Sequence, residues 1–289
     1  MKDHADPWTD GATGAPADPL DRIASALEAL AGQRAQATGD WLSAPAYVWD
    51  GRSAAGVSAI EAPQLALLRG IDKQRHAVTV NVQRHAHGHA AHDMLLWGSR
   101  GMGKSALIRA AVKHVQDTGT ADIALVQAAG DTLDSLPALF SQLAGVERKF
   151  VLYCDDLGFA DGDSGRARHL RSWLDGGVQA RPANVRLAVT SNRRAIVSRH
   201  ASEQDDPINP RDAVDDQLAL ADRFGLSLGF HACSQDDYLQ IVNGYAQHYG
   251  LSYEPGDALE WAKRRGARSG RVAWHYVNEL AGRAGRALS

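Results

Sequence analysis

Gly98 to Ser105 reads Gly-Ser-Arg-Gly-Met-Gly-Lys-Ser: two glycines bracket four residues, and a lysine and a hydroxyl follow at once. These residue types in this order suit the gathering of phosphate charge. Gly98, Gly101 and Gly103 free the backbone to wrap with its N–H groups turned inward onto β- and γ-phosphate oxygens, a path that a bulky Cβ would block. Lys104 then sets a cation against those phosphates, and Ser105 offers its hydroxyl to Mg²⁺. A second set is the pair Asp155-Asp156, reached through Phe150, Val151, Leu152 and Tyr153 and then Cys154. Of these carboxylates Asp155 is assigned to magnesium, and Asp156 to orienting or deprotonating an attacking water. The third is Asn192, at the end of the apolar run from Val185, whose amide can hold that water or a γ-phosphate and so report the state of a nucleotide.

Such groups act only if the chain brings them together. Met94 to Trp97 is a short apolar run, the pattern of a strand buried on both faces, and it breaks directly into the glycine loop. Ser105 to Gln116 carries Leu107, Ile108, Ala111, Val112 and Val115 at helical spacing, which aims a helix N-terminus at the phosphates. Asp122–Gln127, Lys149–Leu157 and Val185–Asn192 read as further strands, with a helix over Leu133–Leu143. In an open parallel sheet, ligands bind at the strands' C-terminal ends, where Asp155 stands. Asn192 joins the carboxylates if its strand lies between the other two.

The remaining segments are punctuated by composition. Met1 to Asp18 is rich in Gly, Ala, Pro and Asp and reads as a disordered arm, and Leu20 to Gln36 as an amphipathic helix. Between Asp40 and Pro63, Trp41, Tyr47 and Trp49 suggest a stretch packed on the main domain or on a neighbouring subunit. Gly70 to His85 is expected to be a helix entered through a tight turn. His85, His87, His89 and His92 crowd the approach to the glycine loop, and a solvated loop suits them better than a metal site because no cysteine accompanies them. Ser164–Asp175 reads as a helix, Gly176–Pro182 as a loop, Arg199–Pro210 as a surface excursion and Ala213–Leu220 as a short helix. A strand-like segment then precedes Ser234, which with Asp237 has the spacing of a helix N-cap. From there the pattern is helical, broken at Gly250 to Gly256 and near Gly270. The expected divisions are an arm over 1–18, a helix and linker over 19–63, a phosphate-loop domain over 64–232 and a helical lid over 233–289.

With 289 residues, 44% of them hydrophobic and 22% charged, the chain can bury one good-sized core and a smaller attached unit. No apolar run approaches the roughly 20 residues that span a bilayer, and the first residues lack a secretory pattern, so the cytoplasm is the expected address. Cys154 and Cys233 suit reduced, buried thiols. A net charge of -3 argues against non-specific nucleic-acid affinity by the whole molecule.

Taken together, the glycine loop with Lys104 and Ser105, the strand into Asp155-Asp156, Thr190-Ser191-Asn192, Asp222-Arg223-Phe224 and a helical region holding Ser269-Gly270-Arg271 resemble the AAA+ ATPases. More narrowly, LLWGSRGMGKS, LYCDDLGF, LDGGVQARPANV, TSNRR and LADRFGL look like a bacterial family of predicted ATPases catalogued as domain of unknown function 815. The resemblance runs from about Leu65 to near the end of the sequence and implies an α/β fold, a P-loop three-layer sandwich with a central parallel sheet and a small helical lid. It implies nucleotide contacts from Gly98, Ser99, Arg100, Gly101, Met102, Gly103, Lys104, Ser105 and Ala106, with Gly70, Ile71 and Asp72 bordering the adenine. Asn192 matches the sensor-1 position and Arg271 sensor 2, while Arg223 resembles the arginine that completes a neighbouring subunit's site in a homo-oligomer. Most members of the superfamily carry Asp-Glu where this chain has Asp155-Asp156, and the shorter side chain implies slow turnover.

The activity so implied is binding and hydrolysis of Mg-ATP that drives a conformational change on a macromolecular partner. Three other readings stay open: a phosphate-loop kinase, a nucleotide-dependent scaffold that hydrolyses little, and a nucleic-acid loader or remodeller. The last would use the basic stretch of Lys263, Arg264, Arg265, Arg268, Arg271, Arg283 and Arg286.

Overall fold

The computed structural model describes residues 40–157, 174, 181–192 and 222–288. The arm over 1–18, the helix over Leu20–Gln36, the excursion over Arg199–Pro210 and the helix over Ala213–Leu220 fall outside these residues. So do the helix over Ser164–Asp175, apart from Leu174, and most of the loop over Gly176–Pro182.

Among the described residues seven strands make one sheet. In chain order they are β1 (Ala46–Trp49), β2 (Ala54–Val57), β3 (Met94–Gly98), β4 (Ile123–Ala128), β5 (Lys149–Cys154), β6 (Val185–Ser191) and β7 (Leu226–Phe230), and across the sheet they run β2-β1-β4-β5-β6-β3-β7. All neighbours are parallel except the β1–β2 hairpin. The central strands alternate strictly. Met94, Leu96, Ile123, Leu125, Val151 and Tyr153 face one apolar layer, while Leu95, Ala124, Val126, Phe150, Leu152 and Cys154 face the other. Both sets are buried because successive side chains point to opposite faces and each face is covered.

Helices α1 (Asp72–Ala86) and α2 (Lys104–Asp117) cover the first face, and α3 (Leu136–Leu143) covers the second. The helix read over Leu133–Leu143 is a 3-10 turn at Gly130–Ser135 followed by α3. Pro137, at the start of α3, suits the first turn of a helix and so marks where the regular helix begins. Residues 46–57, read from sequence as linker, form the hairpin that widens the sheet. Trp49 is buried there, with Nε1 donating to Ser135 Oγ at 2.7 Å.

Three helices follow β7: α4 (Gln235–His248), α5 (Pro255–Arg264) and α6 (Gly270–Arg283). Ser234 and Asp237 form the capping box expected at the start of α4. α4 and α6 share Tyr245, Val272, Ala273 and Val277 with the layer that holds α2. One histidine departs from the solvated loop foreseen for it. His85 lies on the inward face of α1, 2% exposed, with Nε2 3.0 Å from the Phe150 carbonyl oxygen, and burial draws its pKa down to about 4. Among the described residues no helix is long and apolar enough to cross a membrane.

Candidate functional site

β3 lies between β6 and β7, and the chain leaves it to build α2 and then β4, with β6 and β5 between, so a crevice opens above the C-terminal ends of β3, β5 and β6. The turn out of β3 is tight. Ser99 N–H donates to the Phe230 carbonyl at 2.7 Å, and a Cβ on Gly98 would stand 2.2 Å from that same oxygen, so only glycine lets the loop pass β7 this closely. Gly101 faces the helical layer. A Cβ there would meet Ser269 Oγ at 2.9 Å, and its carbonyl accepts from Arg271 N–H at 3.1 Å, so the loop rests on the N-terminus of α6.

Lys104 is the first residue of α2 and is 5% exposed. Its Nζ donates to the carbonyls of Gly98 and Ser99 and to Asn192 Oδ1, each at 2.9 Å, so the ammonium has three acceptors at once. Burial lowers its pKa below that of an ordinary lysine, against the opposing pull of Asp156 and Asp155. Because β6 lies between β5 and β3, Asn192 reaches this lysine from the neighbouring strand end.

Thr190 organises the two carboxylates. Its hydroxyl donates to Asp155 Oδ1 at 2.6 Å and accepts from Asp156 N–H at 2.9 Å, while its carbonyl accepts from Leu157 N–H at 2.9 Å. Asp156 turns away from the strand with φ 48°, the left-handed region that Asp tolerates better than most side chains. Ser105 Oγ donates to Asp155 Oδ1 at 2.7 Å. Desolvation raises the Asp155 pKa, but the hydrogen bonds from Thr190 and Ser105, with the Tyr153 hydroxyl nearby, outweigh it and hold the carboxyl below its usual range. The two oxygens of Ser105 and Asp155 suit a hard cation: neighbouring ligands of an octahedral Mg²⁺ with bonds of about 2.1 Å stand roughly 3 Å apart. Among the described residues no group of three or more His, Cys, Asp and Glu side chains converges as a metal set. One carboxylate and one hydroxyl are the sparse protein contribution that Mg²⁺ takes when phosphates supply further oxygens.

These groups line one cleft of about 920 Å³. Arg100, Gly101, Met102, Gly103, Lys104, Ser105, Ala106, Asp155, Asp156, Asn192 and Arg271 surround its polar part, and Ile71 joins Leu67, Leu68 and Ile241 in its apolar part. Gly98 and Ser99 lie behind the lysine and give it their carbonyls. Arg223 is exposed and is not among the residues that line the cleft.

Three contributions escaped the sequence reading of roles. Thr190 stands within the Thr190-Ser191-Asn192 motif, and its sequence signal is a hydroxyl at the end of an apolar strand. Arg109 lines the cleft one helical turn beyond Ser105, and its charge favours ionised Asp155. The spacing from Ser105 was the clue. Tyr245, Tyr249 and Trp274 form an aromatic wall, with Trp274 5.2 Å from Tyr245 and 6.0 Å from Tyr249 by ring centroids.

Residues 42–284 match the profile of the family described as Protein of unknown function (DUF815). The chain belongs to this family. No curated protein matches the sequence. Among solved structures, the DUF815 chain is similar to a point variant of Thermotoga maritima RuvB, with a TM-score of 0.50 and 17% identity over 78% of this chain and 67% of that one. It is also similar to the Aeropyrum pernix ORC1 protein in complex with DNA, with a TM-score of 0.52 and 14% identity over 78% of this chain and 66% of that one. The DUF815 chain thus spans about two thirds of the length of such proteins. At these identities the likeness is one of fold, and the fold is that of the AAA+ P-loop ATPases.

Proposed function

We propose that this DUF815 protein is an ATP hydrolase that binds Mg-ATP in the cleft between sheet and lid and uses loss of the γ-phosphate to move the lid on a macromolecular partner. The observation that carries the reading is the convergence of Lys104, Ser105, Asp155 and Asn192 at one strand edge, with Arg271 across the same cleft. In this reading the backbone of Gly98 to Ala106 cradles the phosphates, and Lys104 exchanges one of its present acceptors for a phosphate oxygen. Ser105 and Asp155 hold Mg²⁺, which when bound neutralises charge that builds up on the β- and γ-phosphates. Asp156 accepts a proton from the attacking water as its oxygen bonds to the γ-phosphorus; the bond to the bridging oxygen breaks, and ADP and phosphate leave. Asn192 accepts from Lys104 through Oδ1, which leaves its amide N–H groups to orient that water or the γ-phosphate. Arg271, on the lid, contacts the γ-phosphate only while it is present, the difference between states that a switch requires. Arg223, exposed and off the cleft, completes the site of a neighbouring copy in a homo-oligomer. The divisions at 64–232 and 233–289 then separate the phosphate-binding body from the lid, with the hairpin at 46–57 added to the sheet of that body, and the free, buried Cys154 and Cys233 accord with a cytoplasmic address.

Calorimetry tests this directly. The wild-type chain is expected to take up Mg-ATP and the Lys104→Ala chain to take up none; equal affinity in the two would end the proposal. Phosphate release without any added acceptor separates it from a kinase.

A second reading, a nucleic-acid loader, has one observation in its favour. Arg265 lies over Trp261 at 4.5 Å in a shallow pocket between α5 and α6 that His275 and Arg283 also line. Against it, Arg264 and Arg283 pair with Glu260 and Glu279 on their own helices, which offsets the basic face. Salt-dependent binding to DNA or RNA that Arg265→Ala weakens would favour this reading.

A further inference from the structure

α6 does not simply stop at Arg283. Gly285, at φ 66°, donates its N–H to the Gly282 carbonyl at 3.1 Å, and Arg286 donates to the Ala281 carbonyl at 2.9 Å, the two bonds of a helix-ending turn that reverses the chain. The reversed segment is then tied to α4. Arg286 Nη1 donates to the carbonyls of Gly250 at 2.9 Å and of Tyr249 at 3.4 Å, oxygens left over at the C-terminal end of that helix, where a cation is favoured. The outcome is specific to one side chain. Residues 282–287 are exposed, whereas Leu288 turns inward, is half-buried, packs on the apolar layer and lines the same cleft as Lys104. Arg286, two residues before it, is anchored at Tyr249, whose side chain lines that cleft together with Trp274.

We infer that Arg286 and Leu288 complete the base-binding end of the cleft, Leu288 acting as an apolar wall against the face of a nucleoside base and Arg286 as the tether that holds the wall in place. The inference rests on the nucleotide reading above. A flat base needs apolar cover on its faces, and the cleft supplies it from Ile71 on one element and from Tyr249, Trp274 and Leu288 on others. An autoinhibitory plug would use the same residues but with the opposite sign, since removing it would tighten binding.

The test compares two probes on the full chain, Mg-ATP and magnesium tripolyphosphate, the second carrying the charge without the base. Leu288→Ala is expected to weaken Mg-ATP roughly three- to ten-fold and to leave tripolyphosphate unchanged. Arg286→Ala should shift the two probes in the same pattern, and Leu288→Met should restore Mg-ATP affinity. Unchanged or tighter Mg-ATP binding in Leu288→Ala overturns the inference, and so does a loss shared equally by both probes. Lys104→Ala, measured alongside, separates the two failures: if it keeps Mg-ATP, or if the wild-type chain takes up none, the site reading itself is wrong and this inference falls with it.

Discussion

Thr190 shows how much of the site hangs on one hydroxyl. It holds the Asp155 carboxylate by its proton and the Asp156 backbone N–H by its lone pair, so both residues are tied to β6 where the chain leaves β5. Thr190→Val keeps the shape and removes both bonds. We expect a stability loss of about 1–2 kcal/mol in urea denaturation and a rise in the Mg²⁺ concentration that half-saturates turnover, because Asp155 loses the hydrogen bond that does most to keep it ionised. Asp156→Asn should leave nucleotide affinity intact and lower hydrolysis at least ten-fold, on the order expected when a general base is lost. Unchanged turnover would assign the water to another group. Gly98→Ala has a different outcome: a Cβ 2.2 Å from the Phe230 oxygen forces β3 and β7 apart, and at least about 2 kcal/mol should be lost before any ligand is considered. Of these side chains, Lys104, Ser105, Asp155 and Asn192 were legible in sequence because phosphate chemistry restricts residue type and spacing together. Thr190 was not, since a threonine in a strand is ordinary until its partner strand is known.

At the level of elements, α1 carries the clearest dependence on pH. His85 sits buried against the Phe150 carbonyl near Arg186 and Lys149, and its pKa falls from 6.5 unfolded to about 4 folded. The unfolded chain therefore binds a proton that the folded chain does not between those values, so lowering the pH from 6.5 to 4 costs stability, on the order of 3 kcal/mol over the whole window. His85→Gln, which can still donate to the carbonyl, should flatten that part of the stability profile in denaturation measured at stepped pH; a slope as steep as wild type would place the titration elsewhere. The helices and strands around the site were largely readable, because period-two and helical spacing are written in order along the chain. The hairpin at 46–57 was not. Its strands are four residues each, too short for a period to stand out, and the open edge of β4 that takes β1, with β2 pairing outside it, is set by the sheet as a whole.

For the whole molecule, the contact that matters most is between the glycine loop and the lid. Gly101 meets Ser269 and Arg271 directly, so a change in the loop is felt at the N-terminus of α6 without an intermediary. If Arg223 works across copies, phosphate release per chain should rise with protein concentration and then level off, and Arg223→Ala should remain low throughout; a flat wild-type profile counts against assembly. What the sequence determined by itself was the residue content of the loop and the strands that carry it, since local spacing decides which side chains share a strand or a helix face. Which strand ends meet was a matter for the tertiary structure alone. The sheet order brings Asn192 to Lys104 across 88 positions, and the packing of α4 on α6 sets Tyr249, Trp274 and Leu288 around one cleft. Such meetings follow from the burial of whole faces, a property of the assembled layers that no short window of residues contains.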